Sequence, residues 1–184
     1  MDRNLICKIS MKVPSFLNVE IVRDVTITLH RFMDYFKGFE KVEAVKEIFG
    51  DQTEELLRNM KVEFVSRRGY MGVDEQDGHL IVSAYYLKSG SERDIYLDIV
   101  HEMVHVQQRM QGQKLFDNRY DYVERPTEIE AYRHAIKEAR RIGMTEKQIY
   151  NYLRTEWMRE NDLERLAKAV GVGYDPKANS NQHR

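Results

Sequence analysis

Residues 101–105 read His-Glu-Met-Val-His. On an α-helix, positions four apart are offset by only about 40° around the axis and lie about one turn apart along it. The imidazoles of His101 and His105 would then leave one helix face, close enough together to hold a single metal ion. Glu102 sits beside that face, placed to reach a water on the metal instead of the metal itself. This order of side chains suits Zn²⁺, which lowers the pKa of a bound water to around 7. Glu102 can then act as general base and return the proton to a leaving amine.

A catalytic zinc needs a third protein ligand and an open position. Downstream stands Arg125-Pro-Thr-Glu-Ile-Glu-Ala-Tyr132, where two carboxylates compete. Thr127 is a good N-cap and Glu130 follows three residues later, the spacing of a capping box. That gives Glu130 a structural task and leaves Glu128 free to project from the first turn toward the motif helix. Ala131 is small and lets the two helices approach closely. The bland alternative for Glu128 is a solvated carboxylate favouring the helix dipole.

With these motifs assembled, the sequence resembles the gluzincin zinc metallopeptidases, particularly compact ones built from little more than a sheet, a motif helix and a glutamate helix. The matching run is Glu128-Ile-Glu-Ala131-Tyr132, and the likeness covers about residues 79–142. It implies His101, His105 and Glu128 as zinc ligands, Glu102 as catalytic base, and an edge strand near residues 80–86 that pairs with an extended substrate. Position 132 is Tyr where the family often has Asp or Asn. Its hydroxyl could orient an imidazole, reach the substrate oxyanion, or simply pack in the core. Asp98, one turn before His101, is a second candidate orienter. The longer metzincin pattern is excluded, because it needs Gly at 108 and His at 111, and both are Gln. The expected activity is peptide hydrolysis on a peptide or protein substrate. Two other readings keep the metal: a regulatory protease of the ImmA type acting on one protein partner, or a zinc-stabilised binding module without turnover.

These residues need elements to position them. Ser91 can cap a helix running through His101 and His105 to about Gln111, ending near Gly112. A loop over 116–125 leads to a helix from Thr127 to about Ile142. Thr145 caps another through about Arg159, and a last helix spans about 161–170. Upstream, Val62–Val65, Gly69–Val73 and His79–Leu87 read as strands of a small antiparallel sheet, with a turn at Asp74–His79. Apolar residues from Phe16 to Phe36 recur at three- and four-residue steps, so residues 15–60 read as mostly helical, and Asp51 could cap a helix through Asn59. The fold class is therefore α+β: a helical region over 1–60, a zincin-like core over 61–174 forming one compact domain with it, and a flexible tail over 175–184.

Composition fits this picture. The chain has 184 residues, a net charge of −1 and 32% charged residues. It lacks the basic balance of a dedicated nucleic-acid binder. A single cysteine, Cys7, cannot form an internal disulfide. No run approaches the ~20 apolar residues of a membrane span, and residues 1–18 carry no secretory pattern. A cytoplasmic protein is expected. Tyr120 and Tyr122, between the ligand helices, are oxyanion candidates, although packing suits them as well. His134 is off the Glu128 face, His30 reads as structural and His79 as an exposed turn residue. Nothing in the sequence points to an oligomeric state.

Overall fold

The computed structural model describes residues 18–174. Cys7, Phe16, the stretch read for a signal up to Leu17, and the tail from Asp175 to Arg184 lie outside the described residues. The class is α+β, as expected. The described residues open with β1 (Glu20–Ile21), β2 (Leu29–Arg31), a one-turn helix α1 (Phe32–Tyr35) and β3 (Phe36–Lys37). This corrects the helical reading before residue 38. The apolar spacing there serves extended chain instead, because Val22, Val25, Thr26, Ile27 and Thr28 make a β-branched run that resists helix. Helices α2 (Glu43–Phe49) and α3 (Thr53–Asn59) follow on either side of Gly50.

Strands β4 (Lys61–Val65), β5 (Met71–Val73) and β6 (Leu80–Ser83) join β2 in a four-stranded sheet of order β2-β4-β6-β5. β1 and β3 form a separate antiparallel pair. In the larger sheet β4 and β6 run parallel and the other pairs antiparallel, so the sheet is mixed. Because β2 pairs with β4, the sheet draws on both sides of position 60. The third strand is shorter than its β-branched composition suggested. Ser83 accepts from the Tyr86 backbone N–H at 3.3 Å and so caps a helix, α4 (Ala84–Ser89), where strand was expected. The order also corrects the edge-strand expectation for residues 80–86: β6 lies inside the sheet, and β5 is the edge strand beside it.

The long helix α5 (Glu92–Met110) forms as the sequence predicts, with Ser91 Oγ accepting from the Asp94 N–H at 3.1 Å. It is buried on nearly every side, packing against α2, β5 and above all α6 (Pro126–Arg141). Ala131, Ala135 and Ala139 on α6 are fully buried, and side chains this small allow close helix approach. The expected cap at Thr127 is displaced. Pro126 occupies the first helical position, which its fixed φ and missing N–H suit, and Arg125 is the cap residue. Thr127 is buried and donates to the Leu115 carbonyl at 3.1 Å. Helix α7 (Glu146–Tyr152) is capped by Thr145 as predicted, the cap taking the form of a capping box with Gln148, but it stops well short of Arg159, and α8 (Glu160–Val170) closes the fold. A ring cluster of Phe32, Phe36, Phe39 and Phe64 packs under the sheet, and Phe39 meets Tyr96 of α5 at 5.6 Å between centroids. Among the described residues no helix is long and apolar enough to cross a membrane.

The β5–β6 turn is tied to the end of α5. Arg109 donates from Nε to the Glu75 carbonyl at 3.1 Å and from Nη2 to the Gln76 carbonyl. Gly78 has φ +83°, and a Cβ there would meet the Arg109 side chain at 3.1 Å. Both conformation and space thus call for glycine.

Candidate metal centre

Helix α5 aims the imidazoles of His101 and His105 at the first turn of α6, and Glu128 meets them. His101 Nε2 lies 3.3 Å and His105 Nε2 3.4 Å from Glu128 Oε2, and the two ring nitrogens are 3.0 Å apart. Ligand atoms held at about 2.0–2.1 Å around a tetrahedral zinc would be roughly 3.3–3.4 Å from one another. The triangle therefore has the right size for the ion, and the donor set is one that zinc takes. All three residues are at most 6% exposed. Glu128 Oε2 is buried without a well-directed hydrogen bond from either ring. A cation above the triangle would satisfy it together with both imidazoles.

The metal-free electrostatics fit the same reading. Burial would lower His105, but its contact with Glu128 and the nearby Glu102 charge outweigh this and push it up to about 9. Burial holds His101 down. Burial also works to raise Glu128, yet the two imidazoles bring it well below the ordinary carboxylate range. A proton on His105 occupies the place the metal would take.

Gln108 sets the orientation of His105. Its amide nitrogen donates to the Thr127 carbonyl at 3.0 Å and to Glu130 at 2.8 Å, so its carbonyl oxygen faces His105 Nδ1 at 2.8 Å. Nδ1 must then carry the hydrogen, which leaves the Nε2 lone pair for a metal. Glu130 thus has a structural task, as expected, but the task is to hold Gln108 and not to cap α6. Replacing Gln108 with Ala should weaken zinc binding about 10- to 100-fold, as loss of a ligand's orienting partner does elsewhere. Competition with a chelator measures this, and an unchanged affinity would remove Gln108 from the site.

Glu102 is 7% exposed, and its Oε2 is buried without a hydrogen-bond partner. Burial pushes it up to about 8. Tyr132 packs edge-on against His101, with centroids 4.4 Å apart, and its hydroxyl lies 3.0 Å from that of Tyr122. Arg125 approaches the second Glu128 oxygen at 3.5 Å, between the rings of Phe116 and Tyr122.

Two cavities flank the centre and share His101, Glu102, Met71 and Tyr122. The smaller, about 130 Å³, lies between β5 and Glu128; the larger, about 650 Å³, opens toward α4 and the segment after α7. Tyr122 lines both, whereas Tyr120 stacks near Arg119 on the exterior. Asp98 does not orient His101. Its oxygens accept from Tyr86 and, at 2.9 Å, from Tyr152, and burial pushes it up to about 7. His30 bonds the Thr26 carbonyl, and His134 stands outside the centre. His79 is less exposed than expected, bonding Asp77 at 2.5 Å near Glu63.

Fold and site together define an α+β protein with a candidate two-histidine, one-glutamate metal centre opening on two cavities. No family model, curated protein or solved structure matches the chain.

Proposed function

We propose that the protein is a zinc-dependent metallopeptidase of gluzincin type, with His101, His105 and Glu128 holding the ion. The observation that carries this reading is the convergence of three buried donor atoms beside a buried carboxylate that holds no structural bond through Oε2. A metal serving structure alone gives Glu102 no task, and leaving such a group buried and unpaired is costly. When bound, zinc supplies Lewis acidity toward the scissile carbonyl and toward water.

The chain's own groups do the rest. Glu102 takes a proton from the attacking water as oxygen joins the carbonyl carbon. It then gives that proton to the nitrogen as the carbon–nitrogen bond breaks. In the Tyr122–Tyr132 pair one hydroxyl proton is spent between the two oxygens, leaving the other O–H free to donate to the oxyanion. With Tyr132 donating to Tyr122, the free O–H is that of Tyr122, and Tyr132 takes part in catalysis by holding it. Substrate backbone pairs with the free edge of β5, where Met71, Gly72 and Val73 line the smaller cavity.

The test is digestion of a diverse peptide library followed by mass spectrometry. Zinc-loaded protein should cut, chelator-treated protein should not, and added zinc should restore cutting. No cleavage by protein holding one equivalent of zinc would favour a non-catalytic module.

A further inference from the structure

The larger cavity is walled by rings: Tyr70, Tyr86, Tyr122, Tyr132, Tyr152 and Trp157. Among them stands one carboxylate, Asp98, held by the Tyr86 and Tyr152 hydroxyls. No Lys, Arg or His among the described residues forms an ion pair with it. The two arginines on the cavity wall are directed elsewhere. Arg154 is bound by Glu160 at 2.8 and 3.2 Å, and Arg68 lies over the Tyr85 ring at 5.7 Å. Two further acidic groups on the wall, Asp94 and Glu156, add to the negative balance.

A carboxylate without a counter-ion, framed by phenol rings whose faces attract cations, is a receptor for positive charge. Its place relative to the centre matters too. Asp98 precedes Glu102 by four residues on α5, about one helical turn or roughly 6 Å. The four-carbon stem of a lysine suits that span.

We propose that this cavity receives the lysine or arginine side chain of the substrate residue beside the cleaved bond, its cation meeting Asp98 among the tyrosine rings. The position beside a cleaved bond rests on the metallopeptidase reading; recognition of the cation does not require the metal. A neutral aromatic side chain is the competing occupant, since rings also stack on rings.

Trp157, the sole tryptophan, stands at the cavity wall edge-on to Tyr122 at 4.8 Å and reports on occupancy. Metal-free protein at pH 8, where Asp98 is mostly ionised, is titrated with acetyl-lysine, acetyl-arginine, acetyl-norleucine and acetyl-phenylalanine amides. The lysine and arginine amides should change Trp157 fluorescence saturably and bind about 10- to 100-fold tighter than norleucine. Asp98→Asn should remove most of that difference. Norleucine or phenylalanine binding as tightly as lysine to the wild type overturns the proposal without recourse to any variant. So does the absence of a response to all four, or lysine selectivity unchanged in Asp98→Asn. Selective lysine binding by a protein that cuts nothing when zinc-loaded supports the cavity's role while the peptidase reading fails. Cleavage with no preference for a basic residue on either side of the cut leaves the peptidase reading standing and ends this one.

Discussion

Glu102→Gln should retain one equivalent of zinc while losing about 10³-fold or more in peptide hydrolysis, within the range set by loss of a positioned general base. The geometry separates the two outcomes. Glu102 is not among the three groups whose donor atoms converge, so an amide in its place leaves the triangle of His101, His105 and Glu128 intact. The substitution nearly preserves volume in a buried position, and the fold should tolerate it. An amide cannot take the proton from water, so only the chemical step suffers. The measurement is kcat/KM on any peptide the wild type cuts, beside metal content by elemental analysis. A variant that keeps both zinc and full activity would remove Glu102 from the mechanism.

Zinc should also stabilise the fold strongly. Three buried donors that repel or compete for protons when empty become satisfied by one ion. At free zinc about 10⁴ times the Kd, binding linkage gives about 5.5 kcal/mol. For a domain of this size that corresponds to a rise in Tm of roughly 10–20 °C. His101→Ala and Glu128→Ala should abolish the rise, and a similar rise in wild type and both variants would place the metal elsewhere. The effect depends on pH with a definite sign. His105 is raised to about 9 in the metal-free fold from its ordinary value of about 6.5. Its proton therefore stabilises the metal-free fold fully below about pH 6.5, and that contribution is lost as pH rises through about 9. Zinc must displace this proton, so zinc affinity should rise between about pH 6.5 and 9, by at most about tenfold per unit. Calorimetric titration across that range in buffers of different ionisation enthalpy measures both the affinity and the proton released.

The centre was more legible in the sequence than the chain around it, for a local reason. A helix of 19 residues with a Ser91 cap fixes the relation of His101, Glu102 and His105 whatever it packs against. Glu128 could be singled out because only two carboxylates opened the next helix, although the reason offered for Glu130 was the wrong one. What failed depended on contacts distant in sequence. Residues 20–37 carry apolar spacing compatible with a helix, but β2 is held by pairing with β4, which no local window reveals. The swap of edge strand from β6 to β5 is likewise a property of strand order. Gln108 carries a signal of its own beyond its departure from the metzincin pattern: it stands three residues after His105, on the ligand face. The overextended α7 concealed the segment after Tyr152, and that segment supplies part of the wall of the larger cavity.

The Arg109 staple ties the β5–β6 turn to the last turns of the same helix that carries both imidazoles. Strand edge and ligand nitrogens are thus mounted on a single rod. The turn next to β5 and the two imidazoles share one helix as their support, whereas Glu128 reaches them from α6. Whatever occupies the smaller cavity therefore meets a strand and two imidazoles carried by one helix, while the aromatic lining of the larger cavity draws on several elements.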